Sequence, residues 1–405
     1  MSSLLLILLS SNLALAWPGE SAWQPLTIGG APLSDVEEDV VRSRTDLVGD
    51  ATDPAGFWAI DDEALFFRMR INGDPCLTGY SKGGCKLLDA EGWGVVLSTD
   101  GNTDNFEAIV ALYENGGVLA LHPNTDGTSG WDDDFDATAD WSVGYPVISE
   151  EARVLEAGST FTADADYFID LRVPLVELES TLGSDFGASV QVALVTERDF
   201  SILTDSSLSE DLAGADNSKT PTLDAVISDA LPLDEDQDGL LLGVEDVLGT
   251  DPSDADTDDD GLLDGEEDTD LNTDPLLCDT DTDGLPDGLE LGLTNGDADT
   301  DKKACFVADA DPATTTLPDV ADSDGGGVSD GEEDRNQDGL QDTWETDPND
   351  PSDDMDADKD GIPDALEANC GGSGDDADSD GIEDTTEGWN EKSHYTLDHI
   401  SIYPI

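Results

Sequence analysis

The residues best suited to chemistry in this chain are carboxylates set at fixed intervals. A twelve-residue pattern, DxDxDGxxDxxE, recurs through its back half. Full copies place ligand-type side chains at Asp256, Asp258, Asp260, Asp264 and Glu267, and at Asp279, Asp281, Asp283, Asp287 and Glu290. Three more do so at Asp334, Asn336, Asp338, Asp342 and Glu345, at Asp356, Asp358, Asp360, Asp364 and Glu367, and at Asp376, Asp378, Asp380, Asp384 and Glu387. Two copies are imperfect. Asp234, Asp236, Asp238 and Glu245 are followed in register except that Leu242 holds the ninth place, and Asp322, Asp324, Asp330 and Glu333 surround Gly326 at the fifth. Copies starting at 234, 256, 279, 322, 334, 356 and 376 make a repeat array.

This spacing suits calcium, which takes six to eight oxygen ligands at about 2.3–2.6 Å. Acids at alternate places turn toward one side of a curling backbone. The sixth-place glycine permits the positive φ that reverses the chain, and the next residue can offer its carbonyl. The ninth- and twelfth-place acids then close the sphere. Neither a solvated acidic surface nor a disordered acidic tail requires glycine and glutamate at fixed places. Asp297, Asp299 and Asp301 begin another copy, but Lys302 replaces its glycine and Cys305 its ninth-place acid, so no full site is expected there.

Composition agrees. The chain of 405 residues has 97 acids, 15 Lys or Arg and a net charge of −82. Between Asp234 and Glu387 lie 54 of those acids and four bases. Such a polyanion repels phosphate backbones and anionic membranes, so nucleic acid is excluded as a partner and cations are favoured. The apolar residue after each turn (Leu240, Leu262, Leu285, Val328, Leu340, Ile362, Ile382) makes too thin a core to order the segment alone. Metal must therefore supply the folding free energy, and without calcium the array is expected to be expanded and protease-sensitive.

The unit GTDPSDADTDDDGLLDGEE, residues 249–267, resembles the bacterial form of the thrombospondin type 3 repeat. The intervals between copies often hold Thr-Asp-Pro and leave no room for long EF-hand helices. The resemblance implies a chain wrapped around calcium ions with little regular secondary structure, serving extracellular adhesion or matrix proteins.

Ahead of the array, short β-branched and aromatic runs alternate with Asp-Gly, Asn-Gly and Gly-Gly turns: 57–60, 64–71, 93–98, 106–113, 118–121, 167–173 and 190–196. They predict a mainly β fold, an antiparallel β-sandwich of jelly-roll type, with one short helix over 174–182. FWAIDDEALFFRMRINGDP, WGVVLSTDGN and FEAIVALY are similar to family 9 carbohydrate-binding modules and DOMON-like domains. That likeness implies a binding module rather than a catalyst, with a glycan or another cell-surface or matrix ligand as partner. Trp58 and Trp93 are expected in the core, Trp131 and Trp141 nearer the surface. Asp132, Asp133, Asp134 and Asp136 form a loop that is either solvated acid or a further calcium site. No catalytic set is visible: His122 has no recognisable partner and reads as a surface loop residue.

Residues 1–16 read as a signal peptide, with an apolar run Leu4 to Leu9 and Ala14-Leu15-Ala16 before Trp17, though no Lys or Arg precedes the run. No later stretch is long and apolar enough for a transmembrane helix. Cys76 and Cys85 bracket a small loop, Cys278 and Cys305 can staple adjacent repeats, and Cys370 is left over. The expected organisation is thus a signal (1–16), a sandwich (17–230), calcium-binding repeats (231–387) and a tail (388–405) that is either a capping strand or the trace of a truncated gene. The functional expectation is a secreted calcium-binding adhesion or matrix protein and not an enzyme. The alternative is a secreted carbohydrate-active enzyme, or its accessory module, with the repeats as spacer.

Overall fold

The computed structural model describes residues 17–35, 46–76, 92–99, 106–113, 117–124, 138–144, 151–159, 161, 165–183, 186, 190–197, 211–212, 227–355, 363 and 365–366. The chain divides into two compact units, one of residues 1–237 and 241–248, the other of residues 238–240 and 249–405. The segment 1–16, Cys85, Trp131, the loop 132–136, Cys370, the tail, and the copies at 356–367 and 376–387 apart from three of their positions lie outside the described residues.

The protein is mainly β, and its sheets are antiparallel. The strands are Gln24–Pro25 (β1), Thr27–Ile28 (β2), Ala31–Pro32 (β3), Gly56–Ile60 (β4), Ala64–Ile71 (β5), Gly92–Ser98 (β6), Ala108–Tyr113 (β7), Val118–Pro123 (β8), Trp141–Gly144 (β9), Ala152–Glu156 (β10), Tyr167–Pro174 (β11), Gln191–Glu197 (β12) and Asp211–Leu212 (β13). One sheet has the order β1-β4-β5-β11-β10, a second β13-β12-β6-β7-β8-β9, and β2 pairs with β3. The jelly-roll detail does not follow from this order, which includes the four-strand meander β6 to β9.

Side-chain alternation explains the core. In β5, Leu65, Phe67, Met69 and Ile71 point inward with Ile169, Leu171 and Val173 of β11. They share one hydrophobic cluster with Trp93, Val95 and Leu97 of β6, Val110 and Leu112 of β7, and Val192 and Leu194 of β12. The two large sheets therefore bury their facing sides together. Trp58 and Trp93 belong to this core, as expected. Trp141 is a correction: it is only partly exposed and packs against the same cluster.

The outer side of β5 and β11 is charged instead. Asp170 is fully buried and accepts from Arg68 Nε and Arg153 Nε, both at 2.7 Å. The Arg68 guanidinium lies 4.2 Å from the Trp23 ring centre and 4.5 Å from that of Phe168. Trp17 and Trp23 pack with Phe66 on this side, so two tryptophans help to close the outer face. His122 is also a correction. It sits in β8, is 2 % exposed, and its Nε2 is 3.1 Å from the Tyr113 hydroxyl. A histidine beside a proline can still be a strand residue, because here the ladder runs on through Pro123, which pairs with Ala108.

The expected helix forms at Leu175–Leu182, with Leu175 and Leu178 buried and Gly183 turning the chain at φ 75°. A second helix, Leu242–Leu248, belongs to the same unit. Leu242 and Val244 pack on the sandwich core, and a β-carbon at Gly243 would overlap the main chain of Asp61. Leu242, the apparent defect of the first copy, is therefore an anchor. Among the described residues, no helix is long and apolar enough to cross a membrane.

Candidate metal centre

The second unit has little regular structure: single helical turns at Asp264–Glu266, Asp287–Glu290 and Asp330–Glu333, and a π-turn at Glu267–Leu271. Its loops are built by the acids themselves. The first-place acid accepts from the main chain of the turn: Asp256 from Asp260 and Gly261 at 3.1 and 3.0 Å, Asp279 from Asp283 and Gly284 at 3.2 and 2.9 Å. Asp334 does the same with Asp338 and Gly339 at 3.3 and 2.7 Å. The sixth-place glycines Gly261, Gly284 and Gly327 have φ of 106°, 111° and 113°, the conformation the pattern requires. The fourth place is also left-handed, at Asp259, Thr282 and Gln337, which the pattern did not reveal.

The ninth-place acids are clasped by a hydroxyl at the second place. Both oxygens of Asp264 accept from Thr257 (2.8 and 2.7 Å), those of Asp287 from Thr280 (2.9 and 2.7 Å), and those of Asp330 from Ser323 (2.9 and 2.6 Å). This clasp holds each loop closed on its helical turn. Sequence reasoning missed it, although Thr or Ser stands at that place in all three copies.

Consecutive copies are joined by a second recurrent contact. The fifth-place acid accepts from the tenth-place glycine of the following copy: Asp238 from Gly265 (3.1 Å), Asp260 from Gly288 (3.1 Å) and Asp283 from Gly331 (2.6 Å). At each of those glycines a β-carbon would overlap the carbonyl oxygen of the same acid. The disulfide Cys278–Cys305 spans the copy at 279–290 and the degraded segment after it, as the spacing suggested. That segment forms no acid cluster. Thr300 instead donates to Asp256, and the Asp301 amide donates to Asp259 at 2.5 Å.

Within this frame carboxylate oxygens converge. Asp256, Asp258 and Asp260 bring one oxygen each within 4.8 Å of one another, as do Asp279, Asp281 and Asp283. Asp260, Glu267 and Asp287 form a further group, so a fifth-place, a twelfth-place and a neighbouring ninth-place acid meet. In the imperfect copy Asp324 and Glu333 meet Asp354, a residue outside the pattern. Asp322 and Asp330 are held by main-chain and serine donors instead. In the copy 334–345 the acids do not converge as three: Glu345 accepts from the amides of Asn336 and Asp342, and Asn336 donates to Asp342. Leu340 is exposed there, unlike Leu240, Leu262 and Leu285, which are buried. The acids of the first copy fall on both sides of the unit boundary, with Asp234, Asp236 and Glu245 in the first unit and Asp238 in the second.

These clusters are electrostatically unsatisfied. Asp260, Glu267 and Asp287 are fully buried, one oxygen of Asp258 and one of Glu290 have no hydrogen-bond donor, and Glu267 has only the Thr273 hydroxyl beside it. Among the described residues, the ion pairs all lie in the first unit. Burial, reinforced by neighbouring acids, pushes Glu267 and Glu290 up to about 9, Asp258 to about 8 and Asp260 to about 7. Buried charge without a partner is strongly unfavourable. An all-oxygen set of dense negative charge fits a hard divalent cation such as calcium better than a soft metal.

Fold and site together define a mainly β protein carrying an acid-rich repeat unit. No protein-family model matches the chain, and no curated protein matches it. Two solved structures share a weak likeness. One is titled "Biofilm associated protein - BSP domain", with 17% identity over 53% of this chain and 34% of that chain, at a TM-score of 0.22. The other is titled "Biofilm associated protein - B domain", with 16% identity over 53% of this chain and 50% of that chain, also at 0.22. The chain thus spans half or less of each structure's length, and at such TM-scores the likeness says nothing of function.

Proposed function

We propose that the second unit is a calcium-binding array that stiffens only when loaded, in a secreted adhesion or matrix-type protein whose sandwich contacts a glycan or another surface ligand. The supporting observation is the convergence of Asp260, Glu267 and Asp287, all fully buried, with no ion pair to any of the three among the described residues. A bound cation would supply the missing partner and remove the repulsion. Asp256, Asp258, Asp260 and Glu267 would hold an ion in the copy at 256–267, joined by Asp287 from the next copy. Asp279, Asp281, Asp283 and Glu290 would do so in the copy at 279–290. The adhesive role rests on the resemblance to thrombospondin type 3 repeats.

Isothermal titration of the full chain, first stripped with chelator, tests the reading. Several calcium ions are expected to bind with dissociation constants on the order of 10⁻⁴ to 10⁻³ M, as in extracellular modules. No uptake at millimolar calcium would sink it.

A further inference from the structure

The imperfect copy at 322–333 lacks its fifth-place carboxylate because Gly326 stands there. The structure places another carboxylate in that space. A β-carbon at Gly326 would overlap Asp354 Oδ2 and lie 3.0 Å from Asp324 Oδ1. Asp354 comes from the turn that follows the next copy, where the Asp350 amide donates to the Asp347 carbonyl at 2.8 Å and the Asp353 amide to the Asp350 carbonyl at 3.1 Å. One oxygen each from Asp324, Glu333 and Asp354 lies within 4.8 Å of the others.

A cluster of acids alone would mean little, but these are buried and unanswered. Asp354 is 7 % exposed and neither of its oxygens has a donor outside the acid cluster; Glu333 is 1 % exposed with only the Thr346 hydroxyl beside it, and Asp324 Oδ2 also lacks a donor. Two carboxylates held this way must share a proton or a cation. The backbone explains why glycine and Asp354 go together. Gly327, at the sixth place, has the φ of 113° for which the pattern keeps a glycine, whereas Gly326 does not have positive φ. Its missing side chain therefore clears room for the incoming carboxylate rather than permitting the turn.

We infer that Asp354 is the fifth-place ligand of this copy, supplied from a distant part of the chain, so that the copy is a complete divalent-cation site that ties residue 354 to the loop at 322–333. This rests on the calcium reading above. The ion would close the segment that contains the whole copy at 334–345, whose own acids do not converge.

The test is calcium titration of the full chain and of two variants. Asp354→Asn keeps the shape and removes the charge; it should lose one ion from the stoichiometry, or bind that ion at least tenfold more weakly, with the remaining sites unchanged. Gly326→Asp combined with Asp354→Ser moves the carboxylate back to the fifth place and should restore the missing ion. Wild-type stoichiometry and affinity in Asp354→Asn would overturn the inference and leave the calcium reading intact. If Asp354→Asn loses several ions through damage to folding, the double variant decides: recovery supports the inference and its absence overturns it. Failure of the wild-type chain to bind calcium defeats the underlying reading instead.

Discussion

At the scale of single residues the second unit places carboxylates where water cannot reach them and, among the described residues, shows no ion pair to Asp260, Glu267 or Asp287. Their protonation follows. The folded, metal-free pKa of Glu267 lies near 9 against an ordinary value of 4.5, because burial and then the charges of Asp260 and Asp258 disfavour its ionised form. Glu290 and Glu333 are raised to about 9 with burial as the leading cause. A carboxyl raised on folding stabilises the fold below its unfolded value, and that contribution is lost as pH rises through the folded value. The metal-free unit should therefore be most ordered near pH 4.5 and lose structure toward pH 9. A calcium ion must displace these protons, so uptake at pH 7 should release them. Titration in buffers of different ionisation enthalpy measures the release directly. Apparent affinity should fall as pH drops from 9 to 6. A heat of binding independent of the buffer would contradict the whole residue-level account. A substitution gives the same logic another form: at pH 7 Glu267→Gln should raise the melting temperature in chelator, by removing the cost of holding a buried carboxyl protonated, and lower it in millimolar calcium.

At the scale of elements, a repeat here is a loop, a hydroxyl clasp and one helical turn, docked on its neighbour through a glycine. Gly288 is the clearest joint. Its amide donates to Asp260, and a β-carbon there would overlap the Asp260 carbonyl oxygen and lie 3.2 Å from Leu293 Cδ1. Gly288→Ala should cost about 1–3 kcal/mol as an overpacking change. Because Asp260 serves both copies, it should also weaken calcium binding by more than one site, which a titration will show. Local parts of this design were legible in the sequence. The turn glycines, the first- and fifth-place acids, the staple between Cys278 and Cys305 and most strands of the sandwich all announce themselves through short-range spacing. What stayed hidden depends on pairing across the chain. Asp354 lies between copies, outside the twelve-residue pattern, and the Asp283–Gly331 contact spans 48 residues. The burial of His122 was missed because its strand continues past the point where Pro123 suggested an end.

For the molecule as a whole, the two units draw on different sources of stability. The first buries a large shared hydrophobic cluster between two sheets and pairs its internal charges, as Asp170 with Arg68 and Arg153 shows. Among the described residues the second buries few apolar side chains, chiefly Leu240, Leu262, Leu285, Leu289 and Leu366, and more acids than that. Chelator should therefore act on one unit alone. Expected are a larger radius of gyration by X-ray scattering and rapid proteolysis beyond residue 249, with the β-sheet circular dichroism of the sandwich retained. Equal protease resistance with and without chelator would refute the division.

The contacts of Asp238, Asp260 and Asp283 with a glycine of the following copy make those links depend on their predecessors. A chain of this kind behaves as a one-dimensional lattice with nearest-neighbour coupling. As the ion concentration falls, a boundary between stiff and slack links should travel along it instead of each link failing at random. Rigid length, rather than simple occupancy, would then be the quantity that reports how much calcium surrounds the protein.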